Sequence, residues 1–366
     1  MLYVTYCDLN MANLMGIKKK VIAQISAFKK VFGRAYYTCY AGQMIYLLDG
    51  DELVEKEVAA TRKDYNQVLC HWIEKYNIER VYIRYNLTDG YFLDFLSFLK
   101  EKRVKTVLEI PTYPYDDELS NNYTKMEDKY YRKRLKECAD MIATYSNDSE
   151  IWGVSCINLK NGINIENIPV SKRKRELNTI SFIAVSTMAP WHGYERLLEG
   201  MHQYYQENGT YKFFLRFIGE GKEEKYYKSL TEKYNLRPYV MFCGKMLGKE
   251  LDKEFELSDI AVGSLGMYKT GISEGNPIKG AEYCARGIPF ICGYNDTRFS
   301  PQQDFVMRVS NDEQAIDMKA VINFYERIVS KQDYQKIMRD YAEKWLTWDS
   351  IMKPVIDYLN DRDTER

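Results

Sequence analysis

Short apolar runs alternate with amphipathic stretches along most of the chain, and the two have different periods. In the first half, Leu2–Cys7, Arg80–Arg84, Lys105–Ile110 and Met141–Tyr145 are short, β-branched and apolar, which predicts buried strands. Between them Ile17–Phe32, Arg62–Tyr76, Gly90–Lys102 and Tyr123–Cys138 repeat apolar residues at helical spacing. From Ala35 to Val58 the pattern changes: Ala35–Tyr40, Gln43–Leu48 and Leu53–Val58 are strand-like and joined by Ala-Gly and Asp-Gly-Asp turns. That predicts an antiparallel insertion or edge. The alternation breaks over Asn161-Gly162-Ile163 and Glu166 to Asn178, a polar segment with Pro169 and the basic run Lys172-Arg173-Lys174-Arg175, read as a linker with a solvated loop. It then resumes with strands Thr179–Val185, Phe213–Ile218, Val240–Cys243, Asp259–Val262, Ile288–Cys292 and Phe305–Val309. The helices predicted there are Tyr194–Gln206, Glu223–Tyr234, Lys249–Glu256, Pro277–Ala285, Asp312–Ser330 and Asp333–Trp345, with a last one over Asp349–Leu359.

This order predicts two doubly wound α/β domains, 1–165 and 166–348, each with a mostly parallel sheet covered on both faces. Ligands bind at the C-terminal ends of strands in such sheets, and the two edges are expected to face a common cleft. At 366 residues and 45% apolar content the chain can bury two cores. Lys plus Arg and Asp plus Glu are equal at 52 each, which argues against nucleic acid as the main partner. The eight cysteines include no Cys-x-x-Cys pair and read as reduced, buried small hydrophobes of a cytosolic protein. Only three histidines exist, His71, His192 and His202, and they are scattered, so a histidine-based metal site is not expected. A strand at the very start leaves no visible signal peptide, and no apolar run reaches the ~20 residues of a membrane span.

The richest stretch is Gly271 to Cys292, GISEGNPIKGAEYCARGIPFIC. Glu274 and Gly275 are read on a loop, the helix starts near Asn276, and Glu282 lies about two turns into it. The first acid stands beside a helix N-terminus, where free N–H groups and the helix dipole favour an anion. Such a site suits a ligand that is both anionic and rich in hydroxyls.

Glu274, Gly275, an apolar mid-section, Glu282 and Ala-Arg-Gly-Ile-Pro-Phe-Ile resemble the donor-site motif of retaining GT-B fold glycosyltransferases, of the glycosyltransferase family 4 or glycosyl transferases group 1 type. The resemblance covers essentially the whole chain. It implies the GT-B fold, two Rossmann-like domains facing a central cleft, the first on the acceptor side and the second binding a nucleotide sugar. It also implies that the last helix, about 349–366, packs back on the first domain. By resemblance Glu274 contacts the donor sugar, Glu282 the ribose, and Gly275, Asn276, Pro277 and Ile278 line the donor between them. Gly219 and Gly221 would lie near base and phosphates, and Gly244 beside the base.

The chain also departs from that pattern. Relatives carry an Arg and a Lys for the diphosphate in the loop after the first strand of the second domain; here His192 stands at the Lys position and no Arg occurs between Val185 and Gly193. Lys279, one turn into the helix, and Lys269, in the loop before it, are the replacement cations. Of the family's glycine-rich first-domain loop only Gly16 remains. Where many relatives have a donor-contacting histidine, this chain has Glu109, Thr112 and Tyr113 as candidates, with Arg84 nearby.

The implied reaction moves a sugar from a nucleoside diphosphate sugar, UDP most commonly, to a hydroxyl of a glycan or lipid-linked acceptor, with no other cofactor and no metal. Asp116-Asp117-Glu118 reads as a solvated loop or helix cap. The alternatives are a nucleotide-sugar epimerase and a catalytically silent subunit that binds glycan or a partner. The helix Ile17–Phe32, with Lys18, Lys19, Lys20, Lys29 and Lys30, adds possible peripheral contact with the inner membrane face to an otherwise cytoplasmic expectation.

Overall fold

The computed structural model describes residues 1–361; the end of the expected 349–366 segment lies outside the described residues. The chain divides into two compact units, Met1–Lys160 with the segment from Trp348, and Asn161–Thr347.

Unit 1 runs β1 (Leu2–Val4), α1 (Met15–Phe32), β2 (Tyr36–Ala41), β3 (Met44–Asp49), β4 (Glu52–Val58), α2 (Arg62–Lys75), β5 (Arg80–Arg84), α3 (Gly90–Glu101), β6 (Lys105–Ile110), α4 (Asn122–Tyr131), α5 (Leu135–Cys138), β7 (Met141–Thr144), β8 (Glu150–Ile151) and β9 (Val154–Asn158). Among the described residues the strands form one sheet in the order β4-β3-β2-β1-β5-β6-β7-β9-β8. The centre is parallel, while β2–β3, β3–β4 and β8–β9 are antiparallel. Its strands β2-β1-β5-β6-β7 therefore follow the flavodoxin-like order 2-1-3-4-5, with β9 added in parallel beyond β7 and a switch point between β1 and β5. The antiparallel insertion expected over 35–58 is β2, β3 and β4. The single helix expected over Tyr123–Cys138 is instead α4, a tight turn at Arg132–Arg134, and α5. The β8–β9 hairpin is not among the strands expected from the sequence.

Unit 2 runs β10 (Thr179–Val185), α6 (Glu195–Gln206), β11 (Lys212–Ile218), α7 (Glu224–Lys233), β12 (Val240–Phe242), α8 (Lys249–Glu256), β13 (Ile260–Val262), β14 (Glu274–Gly275), α9 (Ile278–Ala285), β15 (Phe290–Cys292), β16 (Asn295–Asp296), β17 (Val306–Arg308), α10 (Met318–Val329) and α11 (Tyr334–Trp345). Its main sheet is wholly parallel, in the order β12-β11-β10-β13-β15-β17. Numbered within the unit this is 3-2-1-4-5-6, the Rossmann order, with the switch point between β10 and β13. Strand β10 is buried almost throughout, as a central parallel strand must be. Helix α10 starts at Met318 rather than Asp312 because Asp317 caps it, accepting from the Lys319 and Ala320 N–H groups at 2.8 and 3.1 Å. Asp312 is held outside by the Gln314 N–H and the Ser310 hydroxyl.

The last helix, α12 (Trp348–Asn360), belongs to unit 1: Trp348, Met352, Val355, Ile356 and Leu359 share a core with α1, β1 and β2. All eight cysteines are free thiols. Among the described residues no helix is long and apolar enough to cross a membrane.

Two sequence expectations for charged loops need correction. Arg173, placed in a solvated run, is a clamp: its guanidinium bonds both oxygens of the buried Asp259, which also accepts from the Ser181 N–H and Tyr325 hydroxyl. Arg175 pairs with Glu326. Asp116 is likewise engaged, accepting from both Arg132 and Lys129.

Candidate active site

The loops at the C-terminal ends of β10, β11 and β13 pack on one another through bare backbone. Gly193, at φ +60°, lies against Gly266; a methyl group there would sit 2.4 Å from the Gly266 nitrogen. A side chain on Gly219 or Gly221 would drive into the Ser186 or Thr187 carbonyl oxygen at 1.9 Å. Glycine at these positions lets two loops meet at the switch point. Gly219, at φ +117°, also donates its N–H to the Gly244 carbonyl at 2.7 Å, tying in the loop after β12. Gly221→Ala therefore lowers the unfolding free energy by about 1–3 kcal/mol through overpacking against fixed backbone, measurable by denaturant titration.

His192 ends the short turn after β10. Its ring is buried, stacked 5.4 Å from Tyr194, and its Nδ1 accepts the Ala189 N–H at 2.9 Å. Burial first, and then the nearby Lys279 charge, push its pKa down to about 3. His192, expected at the place of a phosphate-binding lysine, is instead a neutral imidazole whose Nδ1 is occupied by backbone. Lys269 is also spoken for, in an ion pair with Glu195.

Lys279 is different. It lies in the first turn of α9, and its Nζ is buried without a hydrogen-bond partner. Desolvation lowers its pKa to about 7, with Glu282 acting in the opposite sense. Pro277, the residue before α9, brings no side-chain cap, so the first-turn N–H groups are not closed off by a capping side chain. A buried lysine and an uncapped helix start thus belong to the same turn.

Glu274 stands just before this turn and is exposed, with its carboxylate accepting from Asn295 Nδ2 at 3.0 Å. The expected loop is in fact β14, paired in parallel with β16. Glu282 is half-buried, one turn beyond Lys279 on α9. Gly275 has open space around it, since the nearest atom to an added Cβ is a Pro277 carbon at 3.9 Å. Ile278 is exposed. Gly244, at φ +70°, has only the Glu220 side chain near it, at 3.9 Å.

A residue the sequence reading missed holds the approach to α9. Arg298 is buried and bonds Asp296 through Nε at 2.9 Å and Nη2 at 2.7 Å. It also donates to the carbonyls of Pro277 and Asn161. Asn161 in turn donates its backbone N–H and its Nδ2 to Asn276 Oδ1, both at 3.1 Å. Arg298 therefore fixes the helix start, β16 and the first residue of the unit together. No motif marks it; only its position in an Asp-x-Arg pair after a buried strand hinted at an inward ion pair.

The first-unit candidates sit elsewhere. Gly16 is the second residue of α1 rather than a loop residue, with nothing within 4 Å of an added Cβ. Glu109 is fully buried in ion pairs with Lys20 and Arg84, so it is corrected from a free cleft-facing group. Thr112 is exposed, and Tyr113 packs edge-on against Trp152 at 5.7 Å.

Residues 166–345 match the family model described as glycosyl transferases group 1. No curated protein matches the sequence. Among solved structures, the chain is similar to a glycosyltransferase from Rickettsia africae, with a TM-score of 0.65 at 13% identity over 99% of this chain and 98% of that one. It is similar to Anabaena HepE in complex with UDP, with a TM-score of 0.60 at 11% identity over 98% of each chain. It is also similar to sucrose-phosphate synthase from Thermosynechococcus elongatus, with a TM-score of 0.54 at 12% identity over 97% and 96% of the two chains. These likenesses show a two-domain, Rossmann-like GT-B fold. The family match, over the residues that carry the site, supports a glycosyltransferase in general terms.

Proposed function

We propose that the protein transfers a sugar from a nucleoside diphosphate sugar to a hydroxyl of a glycan or lipid-linked glycan, with retention at the anomeric carbon, in polysaccharide or glycoconjugate assembly. The observation that carries this reading is the buried, unpartnered Lys279 ammonium in the uncapped first turn of α9, with Glu274 and Glu282 on either side in sequence. A diphosphate satisfies both unmet demands of that turn, the N–H groups and the cation. The barrier lies in breaking the bond between the anomeric carbon and the phosphate oxygen, whose electron pair leaves on the diphosphate. The acceptor oxygen bonds to that carbon and its proton departs with the leaving group. Lys279 and the α9 N–H groups stabilise the growing charge. His192, neutral, shapes the loop after β10, and its Nε2 is the nitrogen left to face a ligand. Glu274 orients sugar hydroxyls and Glu282 holds the ribose.

Unit 2 takes the donor in this reading and unit 1 the acceptor. UDP is the nucleotide we favour, because HepE, to which the chain is similar, is known in complex with it. Helix α1 carries no acid, and Lys18 and Lys19 with the exposed Met15 and Ile22 support peripheral contact with an anionic membrane, whereas Lys20, Lys29 and Lys30 are held in ion pairs.

Glu274→Ala tests the assignment without touching the phosphate turn. Turnover with the cognate donor falls about 100-fold while the UDP dissociation constant stays within about twofold, because a group that grips the transferred sugar acts on the transition state. Wild-type turnover in this variant would remove Glu274 from the site. The donor is found first by thermal shift against a panel of nucleotide sugars.

A further inference from the structure

At the C-terminal edge of the unit 1 sheet, β1, β5 and β6 bring together Tyr3, Arg84 and Glu109. Alternation along the strands puts these residues on the face covered by α1. Lys20 reaches in from α1. Its Nζ and Arg84 Nη1 both lie 3.0 Å from the same oxygen, Glu109 Oε1, while Oε2 accepts the Tyr3 hydroxyl at 3.1 Å. Gln24 closes the back of the cluster, its Oε1 sharing the single Tyr3 hydroxyl hydrogen at 2.8 Å and its Nε2 donating to the Tyr145 hydroxyl at 3.2 Å. The Lys20 ammonium lies 3.5 Å from the centre of the Tyr145 ring.

Two features of this cluster are not explained by packing. First, the charges do not cancel: two cations share one carboxylate, and among the described residues Glu109 is the only acid in ion-pair reach of either. Holding a net positive charge in a largely dehydrated place is costly unless a counter-ion completes it. Second, donors outnumber acceptors. A guanidinium has five N–H groups; those of Arg84 face Glu109 Oε1, which also takes Lys20, and the neighbouring Tyr3 oxygen. The Arg84 side chain is 11% exposed and that of Lys20 is 17%, so neither is sealed completely from solvent. The place itself is significant, because β1 and β5 flank the switch point of the 2-1-3-4-5 sheet, where ligands of such sheets bind.

We propose that Arg84 and Lys20 form a socket for an oxyanion carried by the acceptor, a phosphate or a carboxylate, with Glu109 aligning the two cations. This rests on the glycosyltransferase reading for the word acceptor; the anion site itself does not. Arg84 supplies a forked pair of donors to the oxyanion, and Lys20 a point charge beside it. Glu109 is a positioning residue.

The test is an anion titration of the full chain followed by thermal unfolding, with UDP saturating and chloride at matched ionic strength as reference. Inorganic pyrophosphate is one arm and glucuronate the other, which separates a phosphate-bearing from a carboxylate-bearing acceptor. The wild type is stabilised by one of the two. Arg84→Gln weakens that anion about tenfold, and Lys20→Gln does so by a similar factor if Arg84→Gln does not fold. Glu109→Gln, which leaves both cations uncompensated, binds the anion more tightly. A cluster that only holds the fold together would show no stabilisation by either anion, or equal anion affinity in all variants, and that result overturns the proposal. Failure of UDP itself to bind would count against the donor site, and the anion site would then be read from the Arg84→Gln and Lys20→Gln comparisons and the glucuronate arm.

Discussion

Lys279→Met lowers kcat for sugar transfer by about 100- to 1,000-fold, the loss expected when one pre-aimed group that stabilises leaving-group charge is removed. Methionine keeps the length and volume of the stem, so the effect reports charge rather than a cavity. Stability does not fall with activity. A buried ammonium with no partner is a cost to the folded state, and Lys279 is such a group. Its folded pKa of about 7 lies below the ordinary lysine value. Between those two values the unfolded chain binds more protons than the native one, so the Lys279 contribution to stability rises with pH across that window. In free enzyme the same proton governs donor capture. As pH climbs above about 7 the ammonium is lost, so kcat/KM for the donor falls in the wild type and stays flat in Lys279→Met. Paired pH–rate profiles of the two proteins check this. His192 does not contribute to that limb, because its pKa lies near 3.

Arg298→Met is the second large effect, and it acts on the fold of unit 2. The change strips the buried Asp296 of its counter-charge and frees the Pro277 and Asn161 carbonyls. Breaking one side of a buried ion pair costs about 3–5 kcal/mol. We expect a loss of that size in denaturant titration, together with weaker UDP binding, because Pro277 and Asn276 set where α9 begins. The double variant Arg298→Met with Asp296→Leu recovers stability, since neither charge is then stranded. Nucleotide affinity recovers less, because the carbonyls that positioned the helix start are still unclamped. Equal recovery of both would show that Arg298 serves stability alone.

The elements with strong periodicity were readable from the residues. Thr179–Val185, Lys249–Glu256, Arg80–Arg84 and Lys105–Ile110 stand as expected because each is a single uninterrupted apolar or amphipathic run. What escaped were the elements whose stability is tertiary. Strands β14 and β16 are two residues each and exist only because they pair with one another. The tightening at Arg132–Arg134 between α4 and α5 and the inward turn of Asp128, which accepts from Tyr85, Tyr115 and the Thr88 N–H, are features no helical pattern displays. The candidate site was legible in its types but not in its charges. Glu274, Lys279 and Glu282 follow from motif and spacing. That His192 is neutral, Lys269 already paired and Arg298 central depends on burial and on partners distant in sequence, which only the folded chain provides.

In the reading proposed above, a diphosphate rests on the first turn of α9 and is met there by Lys279. Calorimetric titration with UDP at pH 8, in two buffers of different ionisation enthalpy, tests it most directly. UDP is fully ionised at that pH, while most of the free protein carries Lys279 as a neutral amine. Bound diphosphate re-protonates it, so the wild type takes up protons on binding UDP and Lys279→Met takes up none. Binding of UDP with no linked proton, at an affinity unchanged in Lys279→Met, would contradict the account.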